Sequence, residues 1–167
     1  MLVLGIDPGY AIVGFGAVKY EGCNFRAVEY GSIVTSSNEI FERRLEIIYD
    51  RLCEILERNK PDAVSIEKLY YKNNAKTVIG VAEARGVVLL ACKKAGVNVF
   101  EYTPLQVKQA VTGYGKAEKL QVQEMTRRFL HLPTIPKPDD TADALAVAIC
   151  HCQAGGSSFR ANFLNRR

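Results

Sequence analysis

Hydrophobic and polar positions alternate with two different periods along this chain, and the change of period marks its elements. Residues 2 to 7 (LVLGID) form a short aliphatic run stopped by Pro8-Gly9, which predicts a buried strand that cannot continue. Gly14 to Tyr20 and Asn24 to Thr35 predict two further strands, joined through Glu21-Gly22-Cys23 as an antiparallel hairpin. From Glu39 to Asn59 the apolar positions Phe41, Leu45, Ile48, Leu52 and Ile55 recur every three or four residues, which predicts an amphipathic helix. Ala63 to Leu69 returns to alternation, a fourth strand with Val64 and Ile66 on one side and Ser65 and Glu67 on the other. Asn74 to Ala95, closed by Gly96, is a helix with Gly80 and Gly86 inside it. Val97 to Tyr102 is a fifth strand, and Pro104 suits the first turn of a short helix. Helices are expected over Ala117 to Leu130 and Thr141 to Cys152, separated by the proline-stiffened segment 132 to 138.

This order predicts an α/β fold, a mixed five-stranded sheet whose first three strands are antiparallel, flanked by helices. The expected organisation is one domain over residues 1–153 and a basic, disordered tail over 154–167 (AGGSSFRANFLNRR). A chain of 167 residues buries roughly 70% of its unfolded surface, so its core needs neither metal nor disulfide. The cysteines are odd in number (Cys23, Cys53, Cys92, Cys150 and Cys152) and lack a C-x-x-C spacing, which predicts reduced thiols. No apolar run approaches the ~18 residues of a membrane span, and the N-terminus is too short and uncharged for a signal peptide. The expected location is therefore cytoplasmic.

Charge adds a direction to this picture. The net charge is +4, but residues 1 to 62 carry −3 and residues 63 to 167 carry +7. A polyanion would meet the second part.

Acids stand at element ends, where an apolar core does not explain them. Asp7 closes the first strand and Glu67 comes at the end of the fourth; if those strands are neighbours, both lie in the crevice at the carboxyl ends of the sheet. Asp140 and Asp143 bracket the start of the last helix and, three apart, share a face. Each has an ordinary structural use as well: Asp7 as the start of a Pro-Gly turn, Glu67 as a solvent-facing strand residue, Asp140 and Asp143 as an N-cap with an acid in the first turn. Asp139 is the least constrained and is expected to face solvent. Together, the four acids would repel one another unless divalent cations neutralised them. Mg²⁺ suits oxygen ligands completed by a phosphate, and a pair of such ions suits phosphodiester hydrolysis.

The basic positions lie around those acids. No acid occurs from Lys68 to Ala82, where Lys68, Lys72 and Lys76 interleave with Tyr70 and Tyr71. Lysines track phosphates, and an aromatic ring can stack on a base. A second acid-free run, Tyr102 to Ala117, holds Lys108 and Lys116 and is followed by Lys119, with Gly113 and Gly115 allowing close backbone approach. A solvated polar loop explains the first run equally well.

GIDPG with Asp7, IEKLYYKNNA with Glu67, ARGV, EYTPLQVKQAVTGYGKAEKLQVQ, and DDTADALAVAICH with Asp140 and Asp143 occur in that order. In these motifs and their spacing the chain resembles the RuvC family of bacterial Holliday-junction resolvases, from its first strand to about His151. The resemblance implies an RNase H-like fold and a homodimer whose two Mg²⁺-dependent sites, with two ions each, cut four-way DNA junctions by paired nicks in recombination and repair. It implies that Asp7, Glu67, Asp140 and Asp143 are the catalytic, metal-holding acids. Tyr70 falls where the family carries an aromatic that acts on bases near the crossover, and Lys108 and Lys119 fall on its DNA-binding surface. It further implies a branch-migration motor of the RuvA and RuvB type as partner. Three other readings stay open from the residues alone: a nuclease of this fold acting on structured RNA, an ATP-using phosphotransferase, and a junction-binding module that does not cut.

Overall fold

The computed structural model describes residues 1–68 and 75–164, with the side chains of 75–77 and 156–164 outside the description. The expected single mixed sheet is present. Its strands are β1 (Leu2–Asp7), β2 (Ile12–Glu21), β3 (Asn24–Val34), β4 (Ala63–Glu67) and β5 (Val99–Tyr102), in the order β3-β2-β1-β4-β5. β1 pairs antiparallel with β2 and β2 with β3, while β1 and β4, and β4 and β5, run parallel. The helices are α1 (Phe41–Asn59), α2 (Ala75–Lys94), α3 (Pro104–Thr112), α4 (Lys119–Phe129) and α5 (Asp139–Leu164).

The period of two along β1 and β4 divides the core between the two sheet faces. Leu4, Ile6, Val64 and Ile66 pack with Ile48, Leu52 and Ile55 of α1 and Ala84, Val88 and Ala91 of α2. Val3 packs on the other side with Val107 and Val111 of α3, Val122 of α4, and Leu145 to Ile149 of α5. Asp7 shares the parity of Val3 and Gly5, and Glu67 that of Ser65, so both acids belong to the α5 face. This parity decides where the chemistry sits.

α5 approaches the sheet at backbone distance because its neighbours there are glycines. A Cβ on Gly5 would collide with the Ala144 carbonyl, one on Gly14 with the Asp140 carbonyl, and one on Gly16 with Leu145. Glycine weakens a strand interior and earns its place where another backbone comes close. Gly5 and Gly16 are cross-strand partners, as are Asp7 and Gly14, so the glycines form one patch under the helix. Of the two glycines in α2, Gly80 fits against the rings of Tyr10 and Phe41, while a Cβ added to Gly86 would meet nothing within 4 Å outside its own helix backbone and chain neighbours.

The backbone departs from expectation at its end. α5 does not stop at Cys152; it runs as helix to Leu164, across the 153/154 boundary. No proline or other obligate breaker interrupts residues 153 to 164.

Candidate active site

β1 and β4 are adjacent and parallel, with Ile6 in register with Ile66, so Asp7 and Glu67 emerge side by side at the carboxyl rim of the sheet. The first turn of α5 crosses above them and carries Asp140, followed by Asp143 one turn on. Thr141, between the two, is fully buried and anchors that turn: its Oγ1 donates to the Gly31 carbonyl of β3 at 3.1 Å. Its backbone N–H donates to the Pro138 carbonyl at 3.0 Å. Asp139 and Asp140 lie in the first turn, where the helix dipole favours negative charge.

Two lysines complete the cleft. α3 begins with a reciprocal cap in which Gln106 N–H donates to Thr103 Oγ1 at 3.1 Å and Thr103 N–H donates to Gln106 Oε1 at 2.8 Å. This fixes the helix that carries Lys108. Lys119 is the first residue of α4, and its Nζ lies 2.9 Å from Asp143 Oδ2 and 3.5 Å from Asp139 Oδ2. Glu67, Lys108, Lys119 and Asp143 line a cavity of about 250 Å³, walled by Pro104, Val107, Val122 and Ala146.

The electrostatics are those of a crowded acidic pocket. Burial, then the charges of Asp143, Glu67 and Asp140, push the Asp7 carboxyl up to about 7, against a smaller downward pull from Lys119. Burial and Asp143 hold Glu67 above its ordinary range while Lys108 and Lys119 pull it down. Asp143 is raised by burial in spite of its bond to Lys119. Burial also works against the charge on Lys119, but Asp143 and Asp139 outweigh it and hold the ammonium in its charged form.

Four carboxylates and two lysines are thereby brought to one rim. Among the described residues, no three His, Cys, Asp or Glu side chains are already gathered as a metal-holding group. Lys119 is the cation paired with Asp143, at 2.9 Å. The donor set nonetheless fits a hard divalent ion, because every donor is a carboxylate oxygen and Asp7 carries an electrostatic deficit that a cation would remove.

Other expected residues are placed less centrally. Lys68 is exposed directly after β4, its backbone N–H donating to the Tyr102 carbonyl at 2.8 Å. Lys116 is exposed on the turn between α3 and α4. Tyr70 and Lys72 lie outside the described residues, and Lys76 lies on α2 with its side chain outside the description. Asp139, expected simply to face solvent, is 43% exposed but bridges two lysines, with Lys137 Nζ at 2.7 Å and Lys119 on its other side. Proximity of the two helix starts, which the linear sequence does not display, creates that bridge. The glycine patch under Asp140 is a further part of the site, beyond the residues expected from the sequence. Its signal was present: Gly5, Gly14 and Gly16 sit inside strands, where glycine is disfavoured.

The chain is similar to known proteins over most of its length. The family model for crossover junction endodeoxyribonuclease RuvC matches residues 3–151. The crossover junction endodeoxyribonuclease RuvC of Ruminiclostridium cellulolyticum is 54% identical over 151 residues, 90% of this chain and 91% of the relative. The structure of Thermus thermophilus RuvC superposes with a TM-score of 0.88 at 38% identity, covering 95% of this chain and 97% of that one. A second structure, T. thermophilus RuvC in complex with Holliday junction substrate, gives a TM-score of 0.87 at 39% identity, covering 90% and 92% of the two chains.

Proposed function

The chain belongs to the RuvC family of crossover junction endodeoxyribonucleases, and from that premise we propose that it resolves four-way DNA junctions by paired symmetric nicks, using Mg²⁺ held by Asp7, Glu67, Asp140 and Asp143. The observation that carries the assignment of the site is the convergence of these acids: two from adjacent parallel strand ends on the α5 face, two from the first turns of α5 itself. Residues 1–153 constitute the nuclease domain in this reading, and 154–167 a basic extension.

A pair of divalent ions in such a site supplies an activated water for attack on the phosphodiester and charge stabilisation for the leaving oxygen. The protein's part is positional. The helix acids Asp143 and Asp140 and the strand acid Glu67 all raise the proton affinity of Asp7. Thr141 and the glycine patch hold the first turn of α5 against the sheet, so the helix acids keep their distance from Asp7. Lys119 balances Asp143 in the protein alone; once that charge is met elsewhere, the ammonium is placed to contact a phosphate oxygen. Lys108, which lines the same cavity, offers a second charge to the strand. Lys68, Tyr70, Lys72, Lys76 and Lys116 extend the DNA surface in this reading.

One chain supplies one such centre, and a junction cut symmetrically on two strands needs two, which supports a homodimer. The branch-migration motor of the RuvA and RuvB type and a cytoplasmic location are carried over from the family resemblance. No helix among the described residues is long and apolar enough to cross a membrane.

The test is incubation of the purified protein with a synthetic four-way junction and with a linear duplex, each with Mg²⁺ and with EDTA. Symmetric nicks in the junction alone, requiring Mg²⁺, are the expected result. Cleavage that persists in EDTA would remove the metal assignment, and equal cleavage of the linear duplex would remove the junction specificity.

A further inference from the structure

The acid cleft has a neighbour. On α4, Lys119 lines the cleft while the next residue, Leu120, lines an adjoining groove of about 490 Å³. On α3, Lys108 lines the cleft and Thr112, one turn later, lines that groove. Tyr114 and Met125 complete its apolar wall, and Arg128 and Glu124 stand at its edge. Tyr114 is 59% exposed and Leu120 65% exposed, two large apolar side chains facing solvent together.

Tyr114 is held in that position by its backbone. It sits in the turn Gly113-Tyr114-Gly115-Lys116, where Gly113 takes a left-handed φ of 73° and its N–H donates to the Gln109 carbonyl at 2.9 Å. Gln109 Nε2 donates to the Gly113 carbonyl at 2.7 Å, Tyr114 N–H to Thr112 Oγ1 at 3.1 Å, and Ala117 N–H to the Tyr114 carbonyl at 3.1 Å. The ring is therefore presented on a fixed turn, and a partner would meet it with little loss of conformational entropy.

We propose that Tyr114 and Leu120 form an apolar contact for a DNA arm of the four-way junction as it leaves the acid cleft, an inference that rests on the nuclease reading above. Charge selects this occupant. The segment Tyr102 to Ala117 contains no acid, Lys108 lies on the helix before the turn, Lys116 in it and Lys119 at the start of the helix after it, and the acid of the groove, Glu124, is bound by Arg127 at 2.7 Å and Arg128 at 2.9 Å. Aromatic and aliphatic side chains between lysines suit a nucleic-acid strand, whose sugars and base faces are apolar and whose phosphates are not.

The experiment is fluorescence anisotropy of a labelled synthetic four-way junction in EDTA over a series of salt concentrations. Tyr114→Ala weakens binding by about 5- to 30-fold and leaves the slope of log affinity against log salt unchanged, because no charge is removed. Tyr114→Phe binds like the wild type. Leu120→Ser weakens binding in the same manner as Tyr114→Ala, whereas Lys116→Ala lowers the slope by about one. All four variants melt at the wild-type temperature, since the side chains are exposed. Wild-type binding by both Tyr114→Ala and Leu120→Ser would overturn the inference, as would loss of self-association in these variants with DNA binding intact, which would assign the patch to a second copy of the chain. If the wild-type protein itself fails to bind the junction, the nuclease reading falls and this inference with it.

Discussion

The backbone of Gly14 lies so close under the carbonyl of Asp140 that no methyl group fits between them. Gly14→Ala must therefore lift the first turn of α5 or bend β2, at about 1–3 kcal/mol of stability for an overpacked site. Because the displaced residue carries a catalytic acid in the reading above, cleavage should fall further than junction binding. Gly86→Ala is the counterpart: with nothing within 4 Å of its Cβ position in mid-helix, it should gain roughly 0.5–1 kcal/mol. Thermal melts of the two variants, beside nicking assays, check the opposite signs.

Asp7→Asn should abolish cleavage, preserve junction binding, and raise the melting temperature of the metal-free protein. The Asp7 carboxyl is pushed from an ordinary 3.8 up to about 7 by burial and its acidic neighbours. The folded protein thus binds this proton more tightly than the unfolded chain does. Stability from this group is greatest below about pH 4, declines as the pH rises toward 7, and stays low above it. Replacing the carboxylate removes a penalty of roughly 2 to 4 kcal/mol at pH 8. Melting in EDTA at pH 5 and pH 8 is the measurement, with the variant's gain larger at pH 8 than at pH 5. Retained cleavage by Asp7→Asn would contradict the proposed metal site.

Lys108→Ala and Lys119→Ala should each weaken junction binding and lower the salt slope by about one, as expected for loss of a phosphate contact. Lys119 has an additional effect without DNA, because its removal leaves Asp143 without the cation 2.9 Å away. Lys119→Ala should therefore lower metal-free stability at pH 8 more than Lys108→Ala does. Equal melting curves for the two variants would argue against that difference.

All five cysteines are free, and they differ in reach. Cys23 is exposed, whereas burial pushes the thiols of Cys92, Cys150 and Cys152 up to about 12. A thiol reagent at pH 8 should label Cys23 at once and Cys53 more slowly, and the other three only after unfolding. Mass-spectrometric mapping of the labelled positions checks this order.

Much of the fold was legible because its signals are local. The alternation in β1 and β4 and the three-to-four spacing in α1 depend only on neighbouring residues, and they carried the antiparallel opening, the helices and the α/β class. The pairing of β1 with β4 was only a condition in the sequence, since adjacency of two strands 56 residues apart is set by packing; the register of Val3 with Ala63 meets it. The site was legible to the extent that a charged residue on an apolar element is conspicuous, as with Asp7 and Glu67. Gly14 is marked only as a glycine inside a strand and Asp139 not at all, because each acquires its role from a backbone or a lysine that is distant in sequence. The end of α5 was missed for a different reason: the small and polar residues after Cys152 permit a helix without demanding one.

The turn at Gly22-Cys23 joins β2 to β3 at the end of the sheet opposite Asp7, because Asp7 pairs with Gly14 and Leu2 with Lys19. Gly22 is eight residue steps along the strand from Gly14, a distance of roughly 25 Å. A tether attached through Cys23 would consequently fix the molecule to a surface with its acidic rim facing outward, an orientation in which single junctions could be watched as they are engaged and released.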